Sequence, residues 1–187
     1  MNRIALTGAS GTGKSTLATN LAAHLKLPLN PVGSRSVAES MGFASPYDVD
    51  KAGMRGEFQR NLILQTIGWE FRHDEFVTDR TLLDNLAYTA LHDVASVSEE
   101  LLFSCFSGMS RYTHIIHCPV DVFCNPGGDP QRVQEIAYHQ VFDAVLTGLF
   151  DRWFQRSQWG GKLVRMEMEG REERIESVKQ MFNVEER

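Results

Sequence analysis

The stretch Arg3–Thr16, RIALTGASGTGKST, sets the reading of the whole chain. Its first five residues, Arg3–Thr7, form a short apolar run that ends at a glycine. The residues after it, STLATNLAAHL, repeat leucine and alanine at helical spacing. The order is therefore strand, loop, helix. Between strand and helix, Gly8, Gly13, Lys14 and Ser15 satisfy the pattern G-x-x-x-x-G-K-[ST]. Glycines let the backbone turn so that successive N–H groups point inward, and the helix that follows offers its positive end. Such a loop fits the phosphates of a nucleoside triphosphate. Gly8, Ala9, Ser10, Gly11, Thr12, Gly13, Lys14, Ser15 and Thr16 are expected around ATP, with Lys14 reaching the β- and γ-phosphates and Ser15 ligating Mg2+.

Working outward, strand-like and helix-like segments keep alternating. Leu27–Val32, Glu75–Asp79 (EFVTD), Tyr112–Cys118 (YTHIIHC) and Lys162–Met166 read as four further strands, five in all with the first. Met54, Phe58, Leu62, Gln65 and Trp69 fall at three- and four-residue intervals and predict one long amphipathic helix over about 48–74, on the acceptor side. Helices are also expected at about 81–92, 98–109, Gln131–Trp153 and from about Arg171. This alternation implies an α/β fold in three layers, a parallel sheet with helices on both faces and the active site beyond the carboxyl ends of the strands. Residues 1–187 are expected to form a single domain, since one chain of this length suits one core.

Thr78-Asp79-Arg80 closes the third strand and is the second group of residues suited to chemistry. A carboxylate there can hold magnesium, directly or through water, or accept the proton of an attacking hydroxyl. Arginine beside it can clamp phosphate or neutralise charge on the transferred group. The competing reading makes Asp79 a helix cap and Arg80 a surface residue. Motor-type AAA+ ATPases usually place glutamate after this aspartate to activate water, so arginine at position 80 disfavours hydrolysis. A guanine-reading N-K-x-D sequence does not occur. Arg132 follows a Gly-Pro-rich loop, and about 119–132 could act as a lid over the phosphates. Arg35 and Arg55 lie in the positive N-terminal third and are candidates to hold an acidic acceptor, against a plain solvated role. Tyr47, Phe58, Trp69 and Phe71 could stack on a base or form core, and the backbone of Met168–Arg171 could hold adenine.

The bulk properties narrow the classes further. A net charge of −5 argues against a surface built to grip long nucleic acid, yet residues 1–60 hold seven Lys/Arg against four Asp/Glu. The positive end is thus the end with the phosphate loop. Three cysteines, Cys105, Cys118 and Cys124, form no CxxC pair and are read as packing residues, while scattered histidines do not offer the spacing of a zinc site. No apolar run approaches the roughly 20 residues of a membrane helix. Without a signal-peptide pattern at the N-terminus, a cytoplasmic location is expected, in the host cytoplasm if the protein is phage-encoded.

The sequence resembles the P-loop kinases of nucleosides and nucleotides. More narrowly, it is similar to a group of small bacterial and phage AAA-domain ATPases that includes the ribosylnicotinamide kinase module. The resemblance rests on GASGTGKST, TDRTLLDNLAY, RYTHIIHCP and REERIESVKQM, in the right order over most of the chain. It implies a five-stranded parallel sheet, ATP as donor, Lys14 and Ser15 at phosphates and metal, and Asp79-Arg80 matching the Asp-Arg pair of thymidylate-type kinases. The implied activity is transfer of the γ-phosphoryl group to a hydroxyl or phosphate of a nucleotide-type acceptor, with Lys14, Asp79, Arg80 and Arg132 as the catalytic set. One similar branch of phage kinases phosphorylates 5-hydroxymethyluracil within DNA, which makes DNA modification the favoured form, ahead of a free nucleoside or its monophosphate. The alternative of another class is an ATP-hydrolysing switch or assembly factor.

Overall fold

A computed structural model describes residues 1–120, 133–167 and 170–182. Four parallel strands, β1 (Arg3–Thr7), β2 (Phe76–Thr78), β3 (His114–His117) and β4 (Lys162–Arg165), lie in the order β2-β1-β3-β4. β1 is central because it pairs on both edges, Ile4 standing opposite Val77 on one side and His114 on the other. The helices are α1 (Lys14–Leu25), α2 (Ser34–Ser40), α3 (Pro46–Lys51), α4 (Arg55–Phe71), α5 (Leu82–His92), α6 (Glu99–Met109), α7 (Ile136–Phe154) and α8 (Arg171–Phe182).

Strand side chains alternate between faces, and this alternation divides the core in two. Ile4, Leu6 and Ile116 meet Leu17, Leu21 and Val178 of α1 and α8 on one face. Ala5 and Ile115 meet α4, α5, α6 and α7 on the other, through residues such as Ile63, Leu86, Cys105 and Phe142. The result is the expected three layers. A smaller cluster, Val37, Val49, Phe58 and Leu62, ties α2 and α3 to the start of α4. Cys105 and Cys118 are both buried, as packing residues should be, and Cys124 lies outside the described residues. Among the described residues no helix is long and apolar enough to cross a membrane.

Two expectations are corrected. The five-stranded sheet is four-stranded among the described residues, because Leu27–Val32 contributes only a single parallel bridge, Leu29 to Val77. Val77 N donates to Pro28 O at 2.9 Å and Asn30 N donates to Val77 O at 2.8 Å. Pro28 has no N–H to offer on one side of that bridge, and on the other the next donor in register, Val32 N, turns to Asn30 Oδ1 at 2.9 Å, so the ladder stops. The long helix over about 48–74 is instead α3 and α4, broken at Gly53. Gly53 takes φ +69°, its N–H donates to Asp50 O and Met54 N donates to Val49 O, which closes α3 as a Schellman cap. The apolar spacing from Met54 to Trp69 lies wholly past the break, and Met54 packs on the same cluster as Val49 and Phe58. Finally, α7 begins at Ile136, whereas the helix was expected from Gln131, which lies outside the described residues.

Candidate active site

The phosphate loop bridges the end of β1 and the first turn of α1. Gly8 sits at φ +130°, and a Cβ there would stand 2.3 Å from the carbonyl oxygen of Cys118, just past β3. Only glycine fits so close an approach. Within the loop, Thr12 Oγ1 donates to Ala9 O at 2.9 Å. Lys14, only 4% exposed, turns its Nζ to Ala9 O and lies 3.3 Å from Thr12 Oγ1. Gly13, at φ +83°, caps α1.

A pocket at this end of the sheet is lined by Ser10, Gly11, Gly13, Lys14, Ser15, Thr16, Asp79 and Arg80. The fold thus brings the phosphate loop and the Asp-Arg pair, 64 residues apart at Ser15 and Asp79, into one cavity. Ser15 Oγ donates to Asp79 Oδ2 at 2.6 Å. The other carboxylate oxygen, Oδ1, is buried and has no partner among the described residues, and Arg80 Nη1 is in the same condition. Unpaired buried polar atoms are costly unless a ligand or water completes them, which makes both atoms candidates to meet a ligand in this pocket. The Arg80 guanidinium lies 4.6 Å over the Tyr88 ring. Burial works against its charge, but Tyr88, Asp84 and Asp79 outweigh burial and hold it more firmly protonated than a free arginine.

Asp84 was not singled out from sequence, although the T-x-x-D spacing of Thr81 and Asp84 is a capping-box signal. It is fully buried. Its Oδ1 accepts from Gly8 N at 2.9 Å, and its Oδ2 accepts from Thr7 Oγ1 at 2.7 Å, Thr81 N at 2.9 Å and Thr81 Oγ1 at 2.6 Å. One carboxylate therefore joins the entry of the phosphate loop to the residue that follows Asp79-Arg80. It also takes up the Gly8 amide, which is then not offered to a phosphate.

The remaining candidates separate. Arg55 Nη1 pairs with Asp50 at 3.0 Å, and its Nε is buried without a partner among the described residues. Its charge acts together with that of Arg80 on the Tyr138 hydroxyl, whose pKa burial and Tyr88 push up to about 12. Tyr138 in turn shares a hydrogen bond of 2.7 Å with His92. Arg35 is an exposed residue in the first turn of α2, and Arg132 lies outside the described residues, as does most of the expected lid over 119–132. Of the aromatic residues, Phe58 is core, Trp69 stacks on His73 against the core, and Tyr47 and Phe71 are exposed beneath Lys51 and Arg111. Met168 and Glu169, where adenine was expected to meet backbone, are not among the described residues.

The donor set at Ser15 and Asp79 is oxygen only, and one of those oxygens is orphaned. That fits Mg2+, which takes one or two protein oxygens, substrate phosphates and water in preference to a full protein cage. No cluster of three or more His, Cys, Asp or Glu suited to a metal exists among the described residues.

A sequence family described as an AAA domain matches residues 3–174, a span running from β1 into α8. The chain belongs to this AAA-domain family. No curated protein sequence matches it. Among solved structures, this AAA domain is similar to a deoxyadenosine kinase from M. mycoides with dCMP and dCDP as bound products, at 15% identity and TM-score 0.60, covering 97% of this chain and 98% of that one. It is also similar to shikimate kinase from Aquifex aeolicus, at 18% identity and TM-score 0.57 with 97% of each chain covered. A third likeness is to the YorR protein of Bacillus subtilis in complex with phosphorylated GDP, at 16% identity and TM-score 0.55, over 96% of this chain and 95% of that one. At these identities the likeness shows a shared fold, that of the P-loop kinases.

Proposed function

We propose that this AAA-domain protein is a kinase that transfers the γ-phosphoryl group of ATP to a hydroxyl or phosphate of a nucleotide-type acceptor. The observation that carries the reading is Asp79: inside a phosphate-loop pocket, one of its oxygens meets Ser15 and the other is buried and unpartnered among the described residues. Nucleotide binding draws Lys14 Nζ off Ala9 O and onto the β- and γ-phosphates, while loop amides hold the anion. Ser15 and Asp79 Oδ2 hold Mg2+, which when bound neutralises charge on the phosphate oxygens. Asp79 Oδ1 orients the acceptor hydroxyl and takes its proton, and Arg80 stabilises the charge that builds on the transferred group. Arg55, with Arg35, holds the acceptor.

A free nucleoside or nucleotide is the acceptor we favour over a base within DNA. The net charge of −5 gives a poor surface for a polyanion, and two of the similar folds carry free nucleotides. The test is incubation with γ-labelled ATP and a panel of nucleosides, monophosphates, shikimate-like alcohols and DNA containing 5-hydroxymethyluracil. Label on a small nucleoside or nucleotide is expected. Label on DNA alone would move the assignment to base modification, and label released only as free phosphate for every acceptor would sink the kinase reading in favour of an ATP-hydrolysing switch.

A further inference from the structure

α8 returns from the far end of the chain to the phosphate loop. In its first turn Arg174, 6% exposed, donates from Nη1 to the carbonyl oxygen of Thr12 at 2.8 Å. The two residues are 162 apart in sequence. The guanidinium also lies against Gly13, where a Cβ would stand 3.3 Å from Nη2. Because a trans peptide is planar, the Thr12 carbonyl and the Gly13 N–H point to opposite sides of it. With the carbonyl held by Arg174, the Gly13 N–H is turned away from α8, and Gly13 lines the phosphate pocket. A cationic donor on the carbonyl also polarises the peptide and makes its N–H a stronger donor.

We infer that Arg174 is a positioning residue for the triphosphate: it fixes the Thr12-Gly13 peptide so that the Gly13 amide meets the phosphate anion, and thereby makes nucleotide affinity depend on the docking of α8. This rests on the ATP-binding reading above. The anchor is firm, since Val178 of α8 is fully buried against Leu17 and Leu21 of α1. Lys14 and Arg174 also act on a common neighbour, the Cys118 thiol, which burial pushes up to about 11 while the two cations pull it down. Two cationic side chains therefore flank the same loop, Lys14 from within and Arg174 from behind.

Calorimetry of Mg-ATP binding to the full chain tests this, on wild type, Arg174→Met and Arg174→Lys. Arg174→Met is expected to weaken ATP roughly tenfold or more, as the loss of one charge-assisted hydrogen bond would. Lysine, which keeps the charge but not the fork, should fall between the two. The KM for ATP should rise while the acceptor KM and kcat at saturating ATP stay close to wild type, a split that general destabilisation would not give. In 15N-labelled protein the Gly13 amide should shift on ATP addition in wild type and much less in Arg174→Met. Equal ATP affinity in wild type and Arg174→Met overturns the inference. If Arg174→Met does not fold, Arg174→Lys decides, and wild-type affinity there overturns it. Wild type that takes up no ATP overturns the parent reading as well, a result distinct from either.

Discussion

Asp79 and Asp84 lie five residues apart in one segment, TDRTLLD, and the fold gives them opposite surroundings. Asp84 is fully buried and accepts hydrogen bonds from Gly8 N, Thr7 Oγ1 and both donors of Thr81. Asp79 faces the phosphate pocket, with one oxygen on Ser15 and the other unpaired among the described residues. A carboxylate whose lone pairs are already filled can hold backbone in place but has nothing left for a substrate. One with an empty acceptor can take a proton or help hold a metal. On the kinase reading proposed above, the contrast gives structure to Asp84 and chemistry to Asp79, although nothing in their residue type separates them.

The largest expected effect falls on the chemical side. Asp79→Asn should lower turnover by about 10²–10⁴-fold, the range for loss of a general base, with a much smaller loss of ATP affinity and a melting temperature nearly unchanged. Steady-state kinetics beside calorimetry reads this, and parallel loss of binding and turnover would erase the distinction between the two acids. Asp84→Ala should show the reverse emphasis, losing about 3–5 kcal/mol of stability because the Gly8 and Thr81 donors are left buried and unpaired. Urea unfolding measures it, and a wild-type midpoint would refute the structural role.

Glu70 extends the comparison to a third buried acid. It is 1% exposed, and both of its oxygens accept from the Tyr112 hydroxyl, at 3.0 and 3.1 Å. Burial pushes its pKa from the ordinary 4.5 up to about 8, against the smaller opposing pulls of Tyr112, Arg111 and Asn30. The folded chain therefore keeps a proton that the unfolded chain has released above pH 4.5. Its contribution to stability is fully present below 4.5 and is lost as pH rises through about 8. Glu70→Gln should flatten the pH dependence of the unfolding midpoint across that window, and an unchanged slope would count against a protonated Glu70. Thr81→Val is the mildest case: loss of the cap hydroxyl should cost about 1 kcal/mol, seen as a small drop in melting temperature with turnover largely kept.

Much of the site could be read from sequence because its signals are local. Gly8, Gly13, Lys14 and Ser15 owe their pattern to one loop, and the placement of Asp79-Arg80 follows from a strand ending in paired charges. Other features were legible but outweighed. Gly53 could have marked the end of α3, but Met54, one residue past it, packs on the same cluster as Val49, and packing on one cluster does not require a continuous helix. Pro28 could likewise have warned that Leu27–Val32 would pair only briefly. Arg174 carried no local signal at all, because its partner is the backbone of a loop 162 residues away.

By itself the sequence determined the phosphate loop, the alternation of strands and helices and hence the parallel sheet, since these depend on glycine freedom and on periodicity within short windows. Tertiary structure alone decided that Asp84 would be saturated and Asp79 left with an oxygen unpaired among the described residues, that Ser15 would meet Asp79, and that Arg174 would hold the loop from behind. The physical reason is that a polar group's role depends on which donors and acceptors remain unpaired around it, and that count exists only once distant segments have packed together.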